Sequence, residues 1–403
     1  TEKYEVLGQL PQTRAAFALA GYVPAKVAGP LAAELTERFA ASVDVERIPE
    51  EEQPPVLLHN NTFARSGEGV LASFGLPKKD ELDPTGIMTV FYVFLFGLML
   101  SDAAYGAIIS SACGAAILKF PRMEESLKKS LQLFFWCGLS TLFWGIMFGG
   151  YFGDALDVIA KTFFGVSLPE GQSVIPALWF VPLNDPMRLL MYSLLFGCIH
   201  LFTGLGIKGY LCIKNKDYMA FLCDVVFWFL LILGLLLILI PSSMFASMFG
   251  LEVTFPAFVH VLAKGMAIGG ALGILLFAGR RRKNQWGIRL ALGAYDLYNI
   301  TGWLSDLLSY SRLLALGLAT GVIASVVNQM GSMMGRSIPG ILLFAVVFLV
   351  GHTFNLAINL LGAYVHTCRL QYVEFFGKFY EGGGKEFTPF RSNTKYVDVK
   401  GGK

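Results

Sequence analysis

Charge is what this 403-residue chain has least of. Only 15% of its residues are Asp, Glu, Lys or Arg, against 55% hydrophobic; a soluble globular domain carries about 25% charged residues. That imbalance excludes an ordinary soluble protein and points to one embedded in lipid. Cysteine is sparse too. The six present, Cys113, Cys137, Cys198, Cys212, Cys223 and Cys368, lie in or beside apolar runs with no CxxC pair. They read as small packing residues rather than disulfides or ligands. Nucleotide chemistry lacks its signatures: there is no GxxxxGK[ST] loop, dinucleotide glycine pattern or G-x-S-x-G elbow. EGGGKE at 381–386 has no strand before it and no Ser or Thr after its lysine. The chain is not expected to bind or split nucleotide by itself, to hold a cofactor, or to act as an enzyme alone. The net charge of +3 singles out no partner class, and no nucleic acid is expected among the partners.

What is present is a series of long apolar runs, at 87–119, 129–151, 187–212, 218–240, 256–279, 288–330 and 338–376. About 20 apolar residues cross a 30 Å hydrocarbon core. Three loops are basic: 119–129 (Lys119, Arg122, Lys128, Lys129), 208–217 (Lys208, Lys214, Lys216) and 279–289 (Arg280, Arg281, Arg282, Lys283, Arg289). The tail adds Lys378, Lys385, Arg391 and Lys395, while the alternate loops carry only Lys161 and Arg336. The positive-inside rule places the basic loops and the tail in the cytoplasm. For the polar start, with Lys78 and Lys79, to lie there too, 87–119 must cross twice, turning near Ser101–Asp102 and Tyr105–Gly106.

The expected fold is therefore an all-α integral membrane protein with eight transmembrane helices, the first two short. The last two are long and strongly tilted, since 288–330 and 338–376 would each reach about 60 Å if continuous. Gly293 and Gly302 are candidate breaks. Lys264, inside a span, is assigned to the outer interface. Residues 1–84 read as the end of a small cytosolic α/β arm: a strand at 14–24, a helix at 25–43, a strand at 43–49 and an acidic, Pro-rich linker, IPEEEQPP. Residues 85–378 form the membrane domain and 379–403 a cytoplasmic tail. The opening Thr1 to Leu10 lacks the apolar core of a cleavable signal, and the absent initiator Met implies a processed or truncated start.

Two arginines stand deep inside these runs, away from their ends: Arg312 within WLSDLLSYSRLLALGLATGVI (303–323), and Arg369 within LLGAYVHTCRLQYVEFF (360–376). A charge at the bilayer centre costs from a few to more than ten kcal/mol, so it faces a partner or water. On the last span His352, Asn355, Asn359, Gly362, His366 and Arg369 recur at steps of three and four, a polar or small stripe on one helical face. Such a stripe fits water or another polar surface, not lipid. Around Arg312 gather Ser305, Asp306, Ser309 and Thr320, with Asp296 and Asn299 earlier. Asp102, His200 and Asp224 are further intramembrane polar groups, which helix-to-helix hydrogen bonds explain equally well. His352 and His366 lack the three- or four-residue spacing of paired helical ligands, so no metal site is expected.

The stretches DLLSYSRLLALGLATGVIA (306–324) and GHTFNLAINLLGAYVHTCRLQYVEFFGKFYEGGG (351–384) resemble the last two membrane helices of the a-type subunit, subunit I in prokaryotes, of rotary V-type and A-type ATPases. HNN-F-R at 59–65, LDPT at 82–85 and MLSDAAYG at 99–106 carry the same likeness. The resemblance spans residues 50 to 390. It implies a multi-pass stator subunit of a prokaryotic plasma membrane, with both termini cytoplasmic, that forms two cation half-channels against a rotating proteolipid ring. It also implies peripheral-stalk partners through the cytosolic arm, a central-stalk subunit under the ring, H⁺ or Na⁺ as the transported ion, and membrane lipid around the helices.

In that picture Arg312 matches the family's essential arginine and Arg369 its second one. Ser305, Asp306, Ser309, Thr320, His352, Asn355, Asn359 and His366 are the candidate half-channel lining, and Leu313, Leu316 and Gly317 would pack against the ring. Two departures stand out. Most of the long cytosolic arm is missing, residues 1–65 resembling only its last portion. Eukaryotic relatives carry Glu at the position of Asn359 and His at that of Thr320, which points to the bacterial and archaeal branch. A secondary ion-coupled transporter is the alternative; it calls for an inverted repeat, and the sequence shows none. A membrane scaffold is a third reading, but it leaves two arginines beside a polar stripe unexplained.

Overall fold

The computed structural model describes residues 8, 10–14, 16–39, 41–49, 52–79, 81–166, 173–250, 253–277 and 286–389. The basic residues Arg280 to Lys283, Arg391 and Lys395, most of the opening decapeptide, and Glu50 and Glu51 of the linker lie outside these. The chain divides into two compact units. One holds Thr1–His59, Gly75–Glu81 and Gly382–Lys403; the other holds Asn60–Phe74 and Leu82–Glu381.

In the first unit α1 (Ala25–Phe39) forms where expected. The flanking strands do not. Among the described residues there is no strand, only isolated bridges such as Gln12 with Phe17 and Val56 with Glu386. A lone extended segment is not stable without neighbours to complete its ladder, and the described residues offer none. The chain end instead returns here: Gly384 N–H donates to the Leu76 carbonyl at 2.8 Å and Val56 N–H to the Lys385 carbonyl at 2.8 Å.

The second unit is a bundle of apolar helices. Short α2 (Thr62–Ser66) and α3 (Glu68–Phe74) precede α4 (Thr85–Leu100) and α5 (Ala103–Lys119). Asp83 Oδ1 accepts from the Thr85 N–H at 3.0 Å and starts α4. Ser101, left-handed at φ 38°, ends it, and the Asp102 carboxylate accepts from the Ala104 and Tyr105 N–H groups to start α5. The run at 87–119 therefore turns at Ser101–Asp102. Then come α6 (Glu125–Phe148), α7 (Ala155–Ile159) and α8 (Pro186–Lys214). Next are α9 (Tyr218–Leu239), which carries a π-helical turn at Phe221–Val226, α10 (Ser243–Phe249) and α11 (Ala257–Phe277).

The segment Gly287–Ser332 is broken into α12 (Trp286–Tyr298), α13 (Ile300–Ser309) and α14 (Ser311–Ser332). The breaks fall at Asn299 and Tyr310, not at Gly293 and Gly302. Gly293 is instead a contact point, where a Cβ would lie 2.1 Å from the Leu275 carbonyl oxygen. Finally α15 (Ile338–Arg369) starts on Ser337, whose hydroxyl accepts from the Gly340 N–H at 3.1 Å, and runs into a π turn at Leu370–Phe375. Among the described residues six segments are long and apolar enough to cross a membrane, and α4 and α5 are two shorter apolar helices. The chain is a multi-pass membrane protein.

In lipid, helices are held by close packing of small residues rather than by a hydrophobic drive. Here α5 and α6 touch backbone to backbone: a Cβ on Gly145 would lie 2.0 Å from Ala103 N, and one on Gly138 2.7 Å from Ser110 N. Gly145→Val is expected to cost about 1–3 kcal/mol by overpacking. Thermal melting of the purified protein tests this against Gly269→Ala, which meets nothing within 4 Å; equal melting temperatures would contradict it.

Candidate functional site

The helices α14 and α15 run antiparallel and carry polar groups at two levels. Asn328 meets His352 at one level, and Arg312 meets the end of α15 at the other. Sixteen residues of helix separate Asn328 from Arg312, roughly 24 Å at 1.5 Å per residue.

At the first level the stripe on α15 is turned inward. His352, Asn355 and Asn359 are buried. Asn328 donates its amide N–H groups to the Phe152 carbonyl at 2.8 Å and to Asp154 Oδ1 at 2.9 Å. Its Oδ1 can only accept, so His352, 2.9 Å away through Nε2, carries its proton there. His352 Nδ1 then accepts from the Tyr105 hydroxyl at 2.6 Å. Asn355 donates to that same hydroxyl oxygen at 2.9 Å and to the Thr320 carbonyl at 3.2 Å; Asn359 donates back to Asn355. The Thr320 hydroxyl bonds only its own helix, at Leu316 O. The upper stripe thus faces a polar surface supplied by Tyr105 on α5 and by Asn328 and the Thr320 carbonyl on α14. Asp102 lies beside this level and is saturated by backbone: Phe152 and Gly153 donate to it besides the two groups at the start of α5.

At the second level Arg312 stands in the first turn of α14, because Tyr310 interrupts the helix. The Tyr310 ring fills the space left by Gly197 on α8, and its hydroxyl lies 2.8 Å from His200 Nδ1. His200 is stacked between Phe91 and Phe375. The π turn after α15 brings Glu374 beneath the arginine. Arg312 Nη1 lies 3.6 Å from Glu374 Oε1, with side-chain exposures of 23% and 2%. Arg312 Nη2 reaches Ser309 Oγ at 3.4 Å, and Ser309 bonds the Ser305 carbonyl. His366 is close to both Arg312 and Arg369; Arg369 is exposed on the outer face of α15. One turn away Asp306 pairs with Lys378, whose amine sits 3.8 Å over the Trp303 ring.

Buried side-chain atoms without a hydrogen bond cluster at this level. Among the described residues they include His200 Nε2, Arg312 Nη1, His366 Nδ1, Glu374 Oε2 and both ends of the Gln371 amide. Gln371 faces His200 without closing a bond. Such groups in native proteins are normally met by water or a ligand.

The structure thus gathers Arg312, Ser305, Asp306, Ser309, His200, His366 and Arg369 at one level and Thr320, His352, Asn355, Asn359 and Asp102 at the other. Asp224 joins neither; it lies on the π turn of α9, near the Asp296 carboxylate. Leu313 and Gly317 are a correction. Both are buried, Gly317 against Leu98 and Ser101, so neither can face a partner, whereas Arg312, Ala315, Ala319 and Val322 share the outer face. Sequence reasoning missed Glu374, Gln371, Tyr310, Tyr105 and Asn328. A carboxylate inside an apolar run was a usable signal for Glu374; nothing marked the others.

The Arg312 guanidinium, inside an apolar segment, is paired to a buried carboxylate and partly exposed on its other side. The family model of the V-type ATPase 116kDa subunit family matches residues 4–167 and 299–392, and the chain belongs to that family. It is similar to the A-type ATP synthase subunit I of Methanocaldococcus jannaschii, 34% identical over 98% of this chain and 57% of the relative. That of Thermococcus kodakarensis is 32% identical over 97% and 56%. The V-type ATP synthase subunit I of Chlamydia pneumoniae is 23% identical over 86% and 57%. The chain spans a little over half the length of these curated relatives.

Tyr105→Phe leaves His352 Nδ1 and one Asn355 N–H without a partner. A loss of about 1–3 kcal/mol of stability is expected, read as a lower unfolding midpoint in detergent; an unchanged midpoint would show that the hydroxyl does not hold this level together.

Proposed function

We propose that this chain is the ion-translocating membrane part of subunit I of a rotary A- or V-type ATPase, the stator against which a proteolipid ring turns. The observation that carries the reading is Arg312: charged, within a membrane segment, held from inside by Glu374 and open outward beside Ala315 and Ala319, which let another helix approach closely. A carboxylate on each ring subunit would meet this guanidinium. The positive charge favours its ionised form and so releases the bound cation, and guanidinium keeps its proton where a buried lysine can lose it. Arg369, on the outer face of α15, extends the positive field, and His366 lies close to both arginines.

The two polar levels, separated along α14, are the two aqueous half-channels: Ser305, Asp306, Ser309 and the unpaired groups around Glu374 line one, and Thr320, His352, Asn355 and Asn359 line the other. Helices α4 and α5 cross as a short pair, giving eight spans with both termini cytoplasmic in a prokaryotic plasma membrane. Peripheral-stalk and central-stalk subunits are the further partners, and nucleotide chemistry belongs to other subunits. Whether H⁺ or Na⁺ moves is set by the ring's carboxylate and its ligands.

In proteoliposomes holding the whole complex, Arg312→Gln is expected to abolish ATP-driven ion uptake while assembly persists, with protons and sodium assayed separately. Normal pumping by that variant would make Arg312 a packing residue and overturn the reading.

A further inference from the structure

In the reading above Glu374 only holds Arg312 from inside, yet it is among the most costly residues in the chain to bury. It is 1% exposed, at the end of an apolar segment, and Oε2 has no hydrogen bond. Its pairing with Arg312 is loose. A closed guanidinium–carboxylate pair sits at about 2.7–2.9 Å, whereas this one stands at 3.6 Å, with Arg312 Nη1 donating to nothing. Among the described residues Glu374 is the one carboxylate paired with the arginine, and Asp306 is taken by Lys378. Arg312 is thus restrained from inside, with slack, and presents its open side outward.

We infer that Glu374 is a positioning residue that shares Arg312 with the carboxylate of the partner, so that the guanidinium exchanges between an inner and an outer anion. This deepens the reading of Arg312 as the ring-facing charge and rests on it. A lone guanidinium in a low-dielectric site would hold an ionised carboxylate strongly, and a ring that must move on after each encounter would stall there. A second carboxylate behind the arginine divides its attraction. It neutralises Arg312 while a cation-loaded, neutral ring carboxylate approaches, and it draws the guanidinium back as the ionised one departs. The Ser309 hydroxyl, on the same arginine, and the π turn that aims Glu374 inward fix the inner station.

The test uses the whole complex in proteoliposomes with Glu374→Gln, Glu374→Asp and Arg312→Gln. With Gln at 374 the inner anion is gone and departure slows. The maximal rate of ATP-driven uptake is expected to fall at least tenfold, ATP hydrolysis to fall with it so that coupling persists, and the half-saturating ion concentration not to rise. Glu374→Asp, which keeps the charge one carbon further back, is expected to fall about threefold, also coupled. A parental rate in Glu374→Gln, or hydrolysis that continues without uptake, overturns the inference, because the first needs no inner anion and the second marks a broken seal. If Glu374→Gln does not assemble, a parental or uncoupled Glu374→Asp overturns it. Arg312→Gln separates the two claims: if it still pumps, the reading of Arg312 fails and takes this one with it. If it is silent while Glu374→Gln pumps normally, only the exchange fails.

Discussion

A guanidinium inside a membrane segment must be neutralised or watered, and the arrangement around Arg312 follows from that requirement. Glu374 supplies the inner charge, and the π turn after α15 is what points it there, since a regular helix would carry that residue around to another face. Tyr310 supplies the break that puts Arg312 at the start of α14. Gly197 makes room for the Tyr310 ring, and His200 holds its hydroxyl. Each of these features is locally costly: an interrupted helix, a widened turn, a buried carboxylate and several buried polar atoms without partners. Their concentration at one level is better explained by the charge they serve than by packing.

The rest of the bundle is the rigid frame. Glycine contacts bring α5 against α6 at backbone distance, and the Asp102 carboxylate ties the turn between α4 and α5 to Phe152 and Gly153. Phe152 in turn accepts from Asn328, so the α4–α5 turn, the start of α7 and the C-terminal half of α14 form one connected polar network. Two buried polar levels, one satisfied by protein and one only partly so, give the membrane segment distinct ends along a single helix pair.

Much of this was legible in the sequence. The lengths of the apolar runs located the helices, and the loop charges forced the division at Ser101–Asp102. The intramembrane arginines pointed to the level where Arg312, Glu374 and the unbonded polar atoms meet. What was not legible depends on register between elements. The three- and four-residue steps on α15 identified a polar face, but not that α5 and α14 would cover its upper half. Leu313 and Gly317 precede and follow exposed positions on α14, and only packing against α4 and α8 decides which side they take. The glycines at 293 and 302 suggested breaks that fall instead at Asn299 and Tyr310, because in a membrane glycine serves close approach as often as it ends a helix. The N-terminal strands failed for want of neighbours, which local pattern cannot supply.

The central claim is that the outer face of α14 at Arg312 meets the ring. Disulfide cross-linking in the whole complex tests it most directly. Single cysteines at Ala315, Val322 or Leu313, in a chain freed of its six native cysteines, are each combined with a cysteine beside the ring's carboxylate. Ala315→Cys and Val322→Cys are expected to trap the ring and Leu313→Cys, buried inside the chain, to give no product. Cross-linking from Leu313, or none from the outer pair, would contradict the account.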